Sequence, residues 1–343
     1  MAFTTSARSE ARRRRLLALM SDGEFHSGEL LAKRLRISRA AVWKLMGVLR
    51  SMGVEVESVA RQGYRLPRAV DLLDKDEILE ALSPAARERL DRLDVLLSVD
   101  STNRYVGDLE PAPAGRAQLC VTELQNAGRG RRGRSWVAPF GSGVCLSLGW
   151  QFADAPPNFP ALGLAVAVAV VRALGRCGAH EVGLKWPNDL IWRQRKLGGI
   201  LIEMRGESAG PAHVVIGVGL NMHMPAATRL ELAEHQAALI ADLHEVLQER
   251  TPSRNRVIAA LADEMISVLE TFAVRGFEAF IDEWRALDTL ADAPVKVTNG
   301  AQTLYGVARG VEADGALLVE VDGQLQKFVS GEVSLRKQMA DSG

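Results

Sequence analysis

Residues 125–136 read Gln-Asn-Ala-Gly-Arg-Gly-Arg-Arg-Gly-Arg-Ser-Trp, a segment that combines three glycines with four arginines. The glycines match the G-x-G-x-x-G pattern of dinucleotide-binding folds, but that mechanism requires glycines that open a helix. The residues that follow, beginning with Ser135 and Trp136, do not continue as a helix. The segment therefore predicts a mobile basic loop, whose backbone N–H groups and guanidinium groups can surround a carboxylate and phosphates. A plain surface loop or a nucleic-acid-binding patch is the alternative.

Strand-like and helical segments alternate on both sides of this loop, from Asp71 to about Leu290. The pattern predicts strands over 94–99, 119–123, 144–150, 181–184, 200–204 and 213–220, and helices over 161–174, 254–272 and 277–287. Such an alternation indicates an α+β domain with one sizeable core. The longest apolar stretch, residues 161–171, is shorter than the roughly 20 residues that span a bilayer, so it predicts a buried helix and no membrane anchor.

Three pairs of turn residues punctuate the C-terminal segment between residues 293 and 336. They are Asn299-Gly300, Asp314-Gly315 and Asp322-Gly323, and each lies between alternating apolar runs. Asn-Gly and Asp-Gly pairs favour the backbone conformation of tight hairpin turns. The segment therefore predicts a small β-barrel, which is separated from the central domain at about residues 292–294.

The first 68 residues carry 14 Lys and Arg against 6 Asp and Glu, whereas the whole chain is balanced at 42 of each. Ser27 can cap a helix over 28–35 and Ser38 a second helix over 39–50, because both hydroxyls can accept hydrogen bonds from the first turn. The short link between these helices predicts a helix-turn-helix. Alternation over 54–57 and a return segment at 61–65 predict a hairpin, which completes a winged helix.

The second helix of this module has an apolar side and a basic side. Val42, Leu45, Met46 and Leu49 share one side through their spacing of three and four residues. The opposite side is free to enter a groove of DNA, where phosphate neutralisation supplies affinity and side chains read base edges. The predicted DNA-binding residues are Ser38, Arg39, Ala40, Trp43, Lys44 and Arg61. An ordinary helical module with a solvated charged face is the alternative.

The cysteines and histidines argue against several kinds of site. Cys120, Cys145 and Cys177 include no C-x-x-C pair, which fits neither a disulfide framework nor a zinc ribbon and predicts a reducing, cytoplasmic location. No two of the six histidines have metal-ligand spacing, so no metal site is predicted. Residues 206–210 match the G-x-S-x-G nucleophile motif, but we expect a hairpin turn there and not a strand-to-helix elbow.

Four further segments occur in the order of a known family. They are Asp100-Ser101-Thr102-Asn103, KWPNDL at 185–190, KLGGI at 196–200 and GVGLN at 217–221. Together with the basic loop, they resemble the motifs of the biotin–protein ligases. With the winged helix added, the chain resembles the members that are both biotin ligase and biotin operon repressor. The resemblance extends from about residue 14 to 336. One departure is Gly198, where an alanine is common in the family, so a slightly looser turn is expected.

The resemblance implies a multidomain α+β fold and a reaction. The implied domains are a winged-helix DNA-binding domain over 1–68, a catalytic domain over 71–290 with the mixed sheet of class II synthetases, and an SH3-like β-barrel over 292–338. Biotin would be activated by ATP, with Mg2+ carried by its phosphates, and the resulting biotinyl-5′-AMP would biotinylate a lysine of a biotin carboxyl carrier protein. Binding of this adenylate would drive homodimerisation on operator DNA, with the strand at 200–204 as the candidate pairing edge.

Site residues follow from the resemblance, motif by motif. The implied biotin-binding residues are Ser101, Thr102, Asn103, Gln125, Arg129, Gly130, Arg131 and Lys196. The implied ATP-binding residues are Arg131, Arg134, Trp136, Asn188, Lys196 and Asn221. The implied catalytic residues are Arg131 and Lys196, which would neutralise charge in the transition state, and Asp189, which would orient the nucleotide or the acceptor amine. The alternatives are a metabolite-sensing regulator without ligase activity and a lipoate-type ligase; the arginine-rich loop favours biotin.

Overall fold

The computed structural model of the chain describes residues 2–205, 211–236, 239–299, 302–329 and 333–337. Its helices are α1 (Ala2–Met20), α2 (Gly28–Leu35), α3 (Arg39–Ser51), α4 (Lys75–Ala81), α5 (Pro84–Arg89), α6 (Thr102–Gly107), α7 (Leu162–Arg176), α8 (Ala226–Gln236), α9 (Leu243–Leu247), α10 (Arg254–Arg275) and α11 (Ile281–Leu287). Its strands are β1 (Glu57–Val59), β2 (Gly63–Arg65), β3 (Leu90–Leu96), β4 (Ala117–Thr122), β5 (Gly143–Phe152), β6 (Gly183–Lys185), β7 (Asp189–Trp192), β8 (Arg195–Arg205), β9 (Ala212–Asn221), β10 (Pro294–Asn299), β11 (Gln302–Val311), β12 (Leu317–Val321), β13 (Gln324–Phe328) and β14 (Val333–Lys337).

The N-terminal module is a helix-turn-helix followed by a short hairpin, as the sequence predicts. The Ser27 hydroxyl accepts a hydrogen bond from Leu30 N, and the Ser38 hydroxyl accepts one from Ala41 N, so both serines cap their helices. β1 pairs antiparallel with β2 and forms the wing. The predicted apolar side of α3 is the side that is buried.

Two features of this module differ from the prediction. The fold begins with α1 and not with the helix at residue 28, because Leu16, Leu17 and Met20 are buried in the core of the module. The basic stretch before them is therefore part of a helix. The first strand of the wing begins at Glu57, because the two valines of the predicted strand at 54–57 are buried in the helical core before pairing starts.

The central domain is built on a mixed sheet, in which the described strands have the order β3-β4-β5-β9-β8-β7-β6. β3 and β4 are parallel, and the other neighbouring pairs are antiparallel. α7 and α10 pack against each other and against the sheet. Residues 159–176 form a stretch that is long and apolar enough to cross a membrane, but 67% of it is buried inside the protein. The predicted buried helix is confirmed.

The predicted elements of the central domain are present, with ends that differ by a few residues. The helix predicted over 277–287 is a short 3-10 turn, Gly276–Ala279, followed by α11. The pattern did not predict β7 or the short helices α4, α5, α6, α8 and α9. In the polar segment at 100–103, Ser101 caps α6 and Thr102 begins it. The hairpin turn predicted at 206–210 lies outside the described residues.

β8 is interior only in its first half, and its pairing with a second copy at 200–204 stays a prediction. It lies between β9 and β7, and β9 accompanies it from Gly198 to Arg205. β7 is shorter and pairs with β8 only from Arg195 to Gly199. Among the described residues, the stretch 201–205 therefore has a strand on one side alone, and Met204 within it is 65% exposed. We call this stretch the free edge of β8.

The C-terminal strands form an antiparallel sheet in the order β13-β12-β11-β10-β14, as predicted for this segment. Asp322 and Gly323 both have positive φ and connect β12 to β13 as a two-residue hairpin. Gly315 also has positive φ, and its carbonyl accepts a hydrogen bond from Trp186 Nε1 at 3.0 Å, which ties this sheet to the central domain. The turn after Asn299 lies outside the described residues.

The N-terminal module contacts the central domain close to the basic loop. Arg68 Nη2 donates a hydrogen bond to the Gly141 carbonyl at 2.9 Å. Leu97 and Phe140 of the central domain join the apolar core of the module. The winged helix is therefore packed against the segment that follows the basic loop.

Candidate active site

The structure brings the predicted biotin, ATP and catalytic residues together in one cleft. The predicted residues that line it are Ser101, Thr102, Asn103, Gln125, Arg129, Gly130, Arg131, Arg134, Trp136, Asn188, Asp189, Lys196 and Asn221. Their convergence shows a shared site, and the role of each residue remains a prediction.

One end of the cleft is a pocket of buried, uncharged polar groups. Ser101, Thr102 and Asn103 are each 4% exposed at the start of α6, where the Ser101 side chain caps the helix. Gln125 Oε1 accepts a hydrogen bond from the backbone N–H of Thr102 at 2.8 Å. The hydroxyl of Ser147, on β5, lies 2.7 Å from Thr102 Oγ1 and 2.6 Å from Asn103 Oδ1. These oriented donors and acceptors can bind a neutral polar ring.

Two glycines of β9 make room for the site. A Cβ at Gly217 would lie 2.3 Å from Asn103 Oδ1, and a Cβ at Gly219 would lie 2.4 Å from the indole ring of Trp136. Both distances are far below van der Waals contact, so any side chain would displace its neighbour. The glycines of the GVGLN motif are therefore required for close packing at the floor of the cleft.

The basic loop forms a hairpin, and its predicted mobility stays a prediction. Gly130 N donates to the Arg134 carbonyl at 2.7 Å, and Trp136 N donates to the Gly128 carbonyl at 2.9 Å. Between them lies a single 3-10 turn, Arg131–Gly133, and no α-helix follows it. The dinucleotide-binding interpretation is therefore excluded, as expected. These backbone hydrogen bonds and the packing of Trp136 on β9 hold the hairpin beside the cleft.

Two cations and one carboxylate occupy the middle of the cleft. Lys196 Nζ lies 2.6 Å from Asp189 Oδ1. Arg131 Nη1 donates to Asn188 Oδ1 at 3.4 Å. Burial lowers the pKa of the Arg131 guanidinium, although an arginine stays protonated in proteins. The charged groups therefore leave a net positive centre that can bind a carboxylate or a phosphate.

A β-bulge aims Lys196 into the cleft. Leu190 of β7 pairs with Gly198, but Ile191 pairs with Lys196, so β8 has one extra residue at this point. The extra residue changes the alternation of side chains and brings Lys196 Nζ to 3.4 Å from the position that a Cβ of Gly199 would occupy. Sequence alternation alone would not place these two residues on one face.

Asn221 lines the cleft, but its amide group is used to hold the backbone. Asn221 Nδ2 donates to the Ala241 carbonyl at 3.0 Å and to the Lys196 carbonyl at 3.3 Å. Lys196 N also donates to the Leu239 carbonyl at 2.8 Å. Asn221 therefore positions the backbone of Lys196, a role that the sequence did not predict, and its contact with ATP stays a prediction.

Trp136 and Arg134 occupy the hairpin side of the cleft. The Trp136 indole packs against Gly219, and Lys196 Nζ lies 5.9 Å from its ring centroid. Arg134 is exposed and lines the same cleft. Burial raises the pKa of the Cys145 thiol, which also lines the cleft, to about 11. The thiol is therefore protonated at neutral pH and is not a reactive nucleophile.

Sequence reasoning missed two residues of the site, Glu203 and Ser147. Glu203 Oε2, on the free edge of β8, accepts hydrogen bonds from Arg129 Nη2 at 2.7 Å and from Asn103 Nδ2 at 2.9 Å. Ser147 could have been found, because it is a polar residue in the middle of an apolar strand. No sequence signal marks Glu203, whose role depends on contacts between distant segments.

The predicted DNA-binding residues lie on the winged helix. Arg39, Ala40, Trp43 and Lys44 are exposed along α3, and Trp43 is 66% exposed. Arg61 is exposed in the turn between β1 and β2, with a left-handed φ of 67°. The Ser38 hydroxyl is used to cap α3. Contact of these residues with DNA stays a prediction.

A cleft that combines a neutral polar pocket with a cationic centre, on a mixed sheet joined to a winged helix, defines a class: carboxylate-activating protein ligases that carry a DNA-binding domain. Residues 95–221 match the biotin/lipoate A/B protein ligase family, residues 12–65 match an HTH domain, and residues 293–336 match the biotin protein ligase C terminal domain. The chain belongs to the biotin protein ligase family, in the branch of the bifunctional ligase/repressors.

Relatives in this branch are similar over almost their whole length. The bifunctional ligase/repressor BirA of Salmonella typhimurium is 40% identical over 327 residues, which cover 94% of this chain and 96% of the relative. The protein of the same name from Escherichia coli is 38% identical over 328 residues, with the same coverage. The biotin–[acetyl-CoA-carboxylase] ligase of Mycobacterium tuberculosis is 33% identical over 251 residues, or 71% of this chain and 88% of the relative.

Solved structures agree on the fold. The biotin protein ligase from Aquifex aeolicus in complex with biotin and ATP superposes with a TM-score of 0.60 at 23% identity, covering 72% of this chain and 100% of that one. At this level of identity the similarity supports the fold alone.

Proposed function

We propose that this chain activates biotin with ATP to biotinyl-5′-AMP, transfers biotin to a lysine of a biotin carboxyl carrier protein, and represses transcription of biotin synthesis genes from the cytoplasm. One observation carries the catalytic part: the neutral polar pocket and the cationic centre share a single cleft. The similarity to bifunctional ligase/repressors over 94% of the chain supports both parts.

The neutral pocket suits the ring system of biotin. A ureido group has two N–H donors and one carbonyl acceptor and carries no charge, so it needs hydrogen bonds without a counter-ion. Thr102, Asn103, Gln125 and Ser147 supply such groups at one end of the cleft, and Ser101 holds the turn that presents them. Gly217 keeps the floor open beside Asn103.

The hairpin and the cationic centre suit the activation step. Arg129, Gly130 and Arg131 would hold the biotin carboxylate and the α-phosphate, while Lys196 would neutralise charge as the carboxylate oxygen attacks phosphorus and pyrophosphate leaves. Catalysis would then consist of positioning and electrostatic stabilisation. No covalent enzyme intermediate is needed.

Trp136, Arg134, Asn188 and Asn221 are the proposed groups around ATP. Trp136 presents a ring large enough to cover adenine beside the flexible end of Lys196. Magnesium would enter bound to the ATP phosphates, since the described residues contain no group of three Asp, Glu, His or Cys side chains that could hold a metal ion. The ion would reduce repulsion between the carboxylate and the phosphates.

Transfer would follow in the same cleft. The acceptor amine would attack the carbonyl carbon of the adenylate, and AMP would leave. Asp189 would orient that amine or keep Lys196 in place, and the distance of 2.6 Å between Asp189 Oδ1 and Lys196 Nζ supports the second contribution.

The winged helix and the free edge of β8 support the regulatory part. Binding of biotinyl-adenylate would complete the closure of the hairpin, and two copies would then pair through residues 201–205 and present two α3 helices to a two-fold symmetric operator. The 65% exposure of Met204 supports an unpaired edge at this position.

The test is incubation of the purified chain with ATP and biotin, followed by chromatographic detection of the adenylate. We expect biotinyl-5′-AMP with biotin and no adenylate with lipoate. Formation of lipoyl-AMP instead would indicate the lipoate-type ligase, and biotin binding without any adenylate would indicate the metabolite-sensing regulator.

A further inference from the structure

The carboxylate of Glu203 joins two parts of the cleft that are distant in sequence. A single oxygen, Oε2, accepts from Arg129 Nη2 at 2.7 Å and from Asn103 Nδ2 at 2.9 Å. Arg129 belongs to the hairpin above the cleft and is partly exposed, whereas Asn103 is buried in the neutral pocket. Glu203 therefore connects the hairpin to the pocket from the free edge of β8.

This carboxylate also fixes the orientation of the Asn103 amide. A carboxylate accepts hydrogen bonds but does not donate them, so the NH2 end of Asn103 must face Glu203. The same Nδ2 lies 3.3 Å from the Leu201 carbonyl, which is a second acceptor on β8. Asn103 Oδ1 consequently faces the Ser147 hydroxyl, 2.6 Å away.

The orientation of the Asn103 amide also determines that of the neighbouring hydroxyl in the pocket. The Ser147 hydroxyl has one proton, and the amide oxygen of Asn103 takes it. Thr102 Oγ1 lies 2.7 Å from Ser147 Oγ and donates to Gln125 Oε1 at 3.2 Å. A negative charge at Glu203 thus determines the orientation of the Asn103 amide and, through it, that of the Ser147 hydroxyl.

We propose that Glu203 is a positioning residue for biotin: it orients Asn103 and Arg129 so that the pocket is ready for the ureido ring and the hairpin is ready for the carboxylate. This inference rests on the proposed function and names a residue that the family motifs quoted above do not include. Glu203 acts through Asn103 and Arg129, and among the described residues its hydrogen bonds go to these two side chains and not to the groups proposed around ATP.

The ion pair between Glu203 and Arg129 contributes little to the stability of the fold. The Arg129 and Glu203 side chains are 45% and 31% exposed, and ion pairs with that exposure add little to stability. Asn103, in contrast, is a buried amide that loses a charged hydrogen bond if Glu203 is removed, and such bonds are among the stronger ones in proteins. Asn103 Nδ2 keeps the Leu201 carbonyl as an acceptor when Glu203 is removed, so we expect the loss of biotin binding to exceed the loss of stability.

The test compares Glu203→Ala and Glu203→Gln with the parent chain in steady-state adenylate formation. We expect Glu203→Ala to raise the KM for biotin about tenfold, from the loss of a hydrogen bond to a charged group. Glu203→Gln keeps an oxygen for the Asn103 amide but loses the charge that faces Arg129. Its KM for biotin should therefore lie between that of the parent chain and that of Glu203→Ala. The KM for ATP should rise less than the KM for biotin in both variants, since Arg129 is the member of this network that is proposed to contact the α-phosphate, whereas Asn103 lies in the biotin pocket.

A second measurement separates this inference from the proposed function. Calorimetric titration of biotin without ATP should show the same weakening for Glu203→Ala and a smaller one for Glu203→Gln. If the parent binds biotin but makes no adenylate, the proposed function fails, and this titration still tests Glu203. Combining Asn103→Ala with Glu203→Ala should weaken binding by less than the product of the single effects, because the two residues share one contact.

A matched control is Glu283→Gln, which removes an Arg–Glu pair with Arg172 in which both side chains are 37% exposed, between α7 and α11. It should leave the KM for biotin and the KM for ATP unchanged. An unchanged biotin KM in Glu203→Ala would overturn the inference. So would an equal rise of both KM values, since that is the result of a general loss of structure.

Discussion

Lys196 Nζ and Asp189 Oδ1 lie 2.6 Å apart across the β7–β8 pair, and their side chains are 30% and 24% exposed. An ion pair with this much solvent contact is weak, so it can exchange partners at little cost. In the proposed function, Asp189 would keep the ammonium group oriented in the cleft before substrates arrive. When a carboxylate and a phosphate enter, the ammonium can turn to them without a large loss of stability.

Removing either cation should slow adenylate formation much more than it destabilises the fold. For Lys196→Ala and Arg131→Ala we expect a rate lower by about 10²–10³-fold, the usual cost of one donor that faces developing charge. Single-turnover formation of biotinyl-AMP measures the rate, and thermal unfolding monitors the fold. Lys327→Ala, which removes an exposed lysine paired with Glu312 in the C-terminal sheet, is the control. Parent rates in both variants would show that the two cations do not act on the reacting groups.

Substitutions of the two glycines of β9 should weaken the binding of different substrates. Gly217→Ala places a Cβ against Asn103 and should raise the KM for biotin, whereas Gly219→Ala places one against Trp136 and should raise the KM for ATP. Overpacking of this kind costs about 1–3 kcal/mol, or about five- to hundredfold in affinity. Gly163→Ala, where a Cβ would make only an ordinary contact at 3.8 Å, is the control. If both variants change the same KM, the cleft does not have two separate ends.

A fragment that begins at Asp71 should retain biotin transfer and lose DNA binding. No residue before Asp71 is among those that line the cleft in the described part of the chain. Its thermal stability should fall, because Leu97 and Phe140 lose the apolar core that covers them. Biotinylation of an acceptor domain and a DNA gel-shift assay measure the two activities, with circular dichroism as the check of folding. A folded but inactive fragment would show that the winged helix is coupled to the cleft.

A charged side chain introduced on the free edge of β8 should prevent dimerisation without affecting adenylate formation. In the parent chain, biotin plus ATP should double the mass in sedimentation and strengthen operator binding. Met204→Arg should remain monomeric and still form the adenylate, since a buried unpaired charge at an interface is costly. Leu325→Arg changes a residue of similar exposure on β13 and should dimerise as the parent does. An unchanged mass of the parent with biotin and ATP would remove the repressor mechanism and leave the ligase.

Asp288 should make stability depend on pH. Burial raises the pKa of its carboxyl group to about 6 from 3.8, and among the described residues Oδ2 has no hydrogen-bond partner. Between these pH values the folded state holds a proton that the unfolded state releases, so stability falls as pH rises from about 4 to 6. Asp288→Asn removes this dependence and should gain roughly 1–3 kcal/mol relative to the parent at pH 7 and little at pH 4. Urea unfolding at both pH values measures the difference; an equal difference at both would contradict it.

Short-range sequence patterns were sufficient to predict many of the structural elements of this protein. The helix caps at Ser27 and Ser38, the Asp322-Gly323 hairpin and the buried helix α7 follow from short-range preferences, which do not depend on the rest of the chain. The family motifs predicted that these residues form one site, because the residues of such motifs take part in the same reaction. Element ends and short helices such as α6 were missed, since their stability comes from packing on the sheet.

The sequence by itself determined the winged helix, the mixed-sheet domain, the small C-terminal sheet and the identity of the residues around the cleft. Only the tertiary structure decided that the basic loop folds back as a hairpin, that β8 is interior for half its length, and that Glu203 joins Arg129 to Asn103. The reason is that capping, turns and alternation act over a few residues. The contacts around Glu203 join positions about 75 to 100 residues apart, and only the completed sheet brings them together.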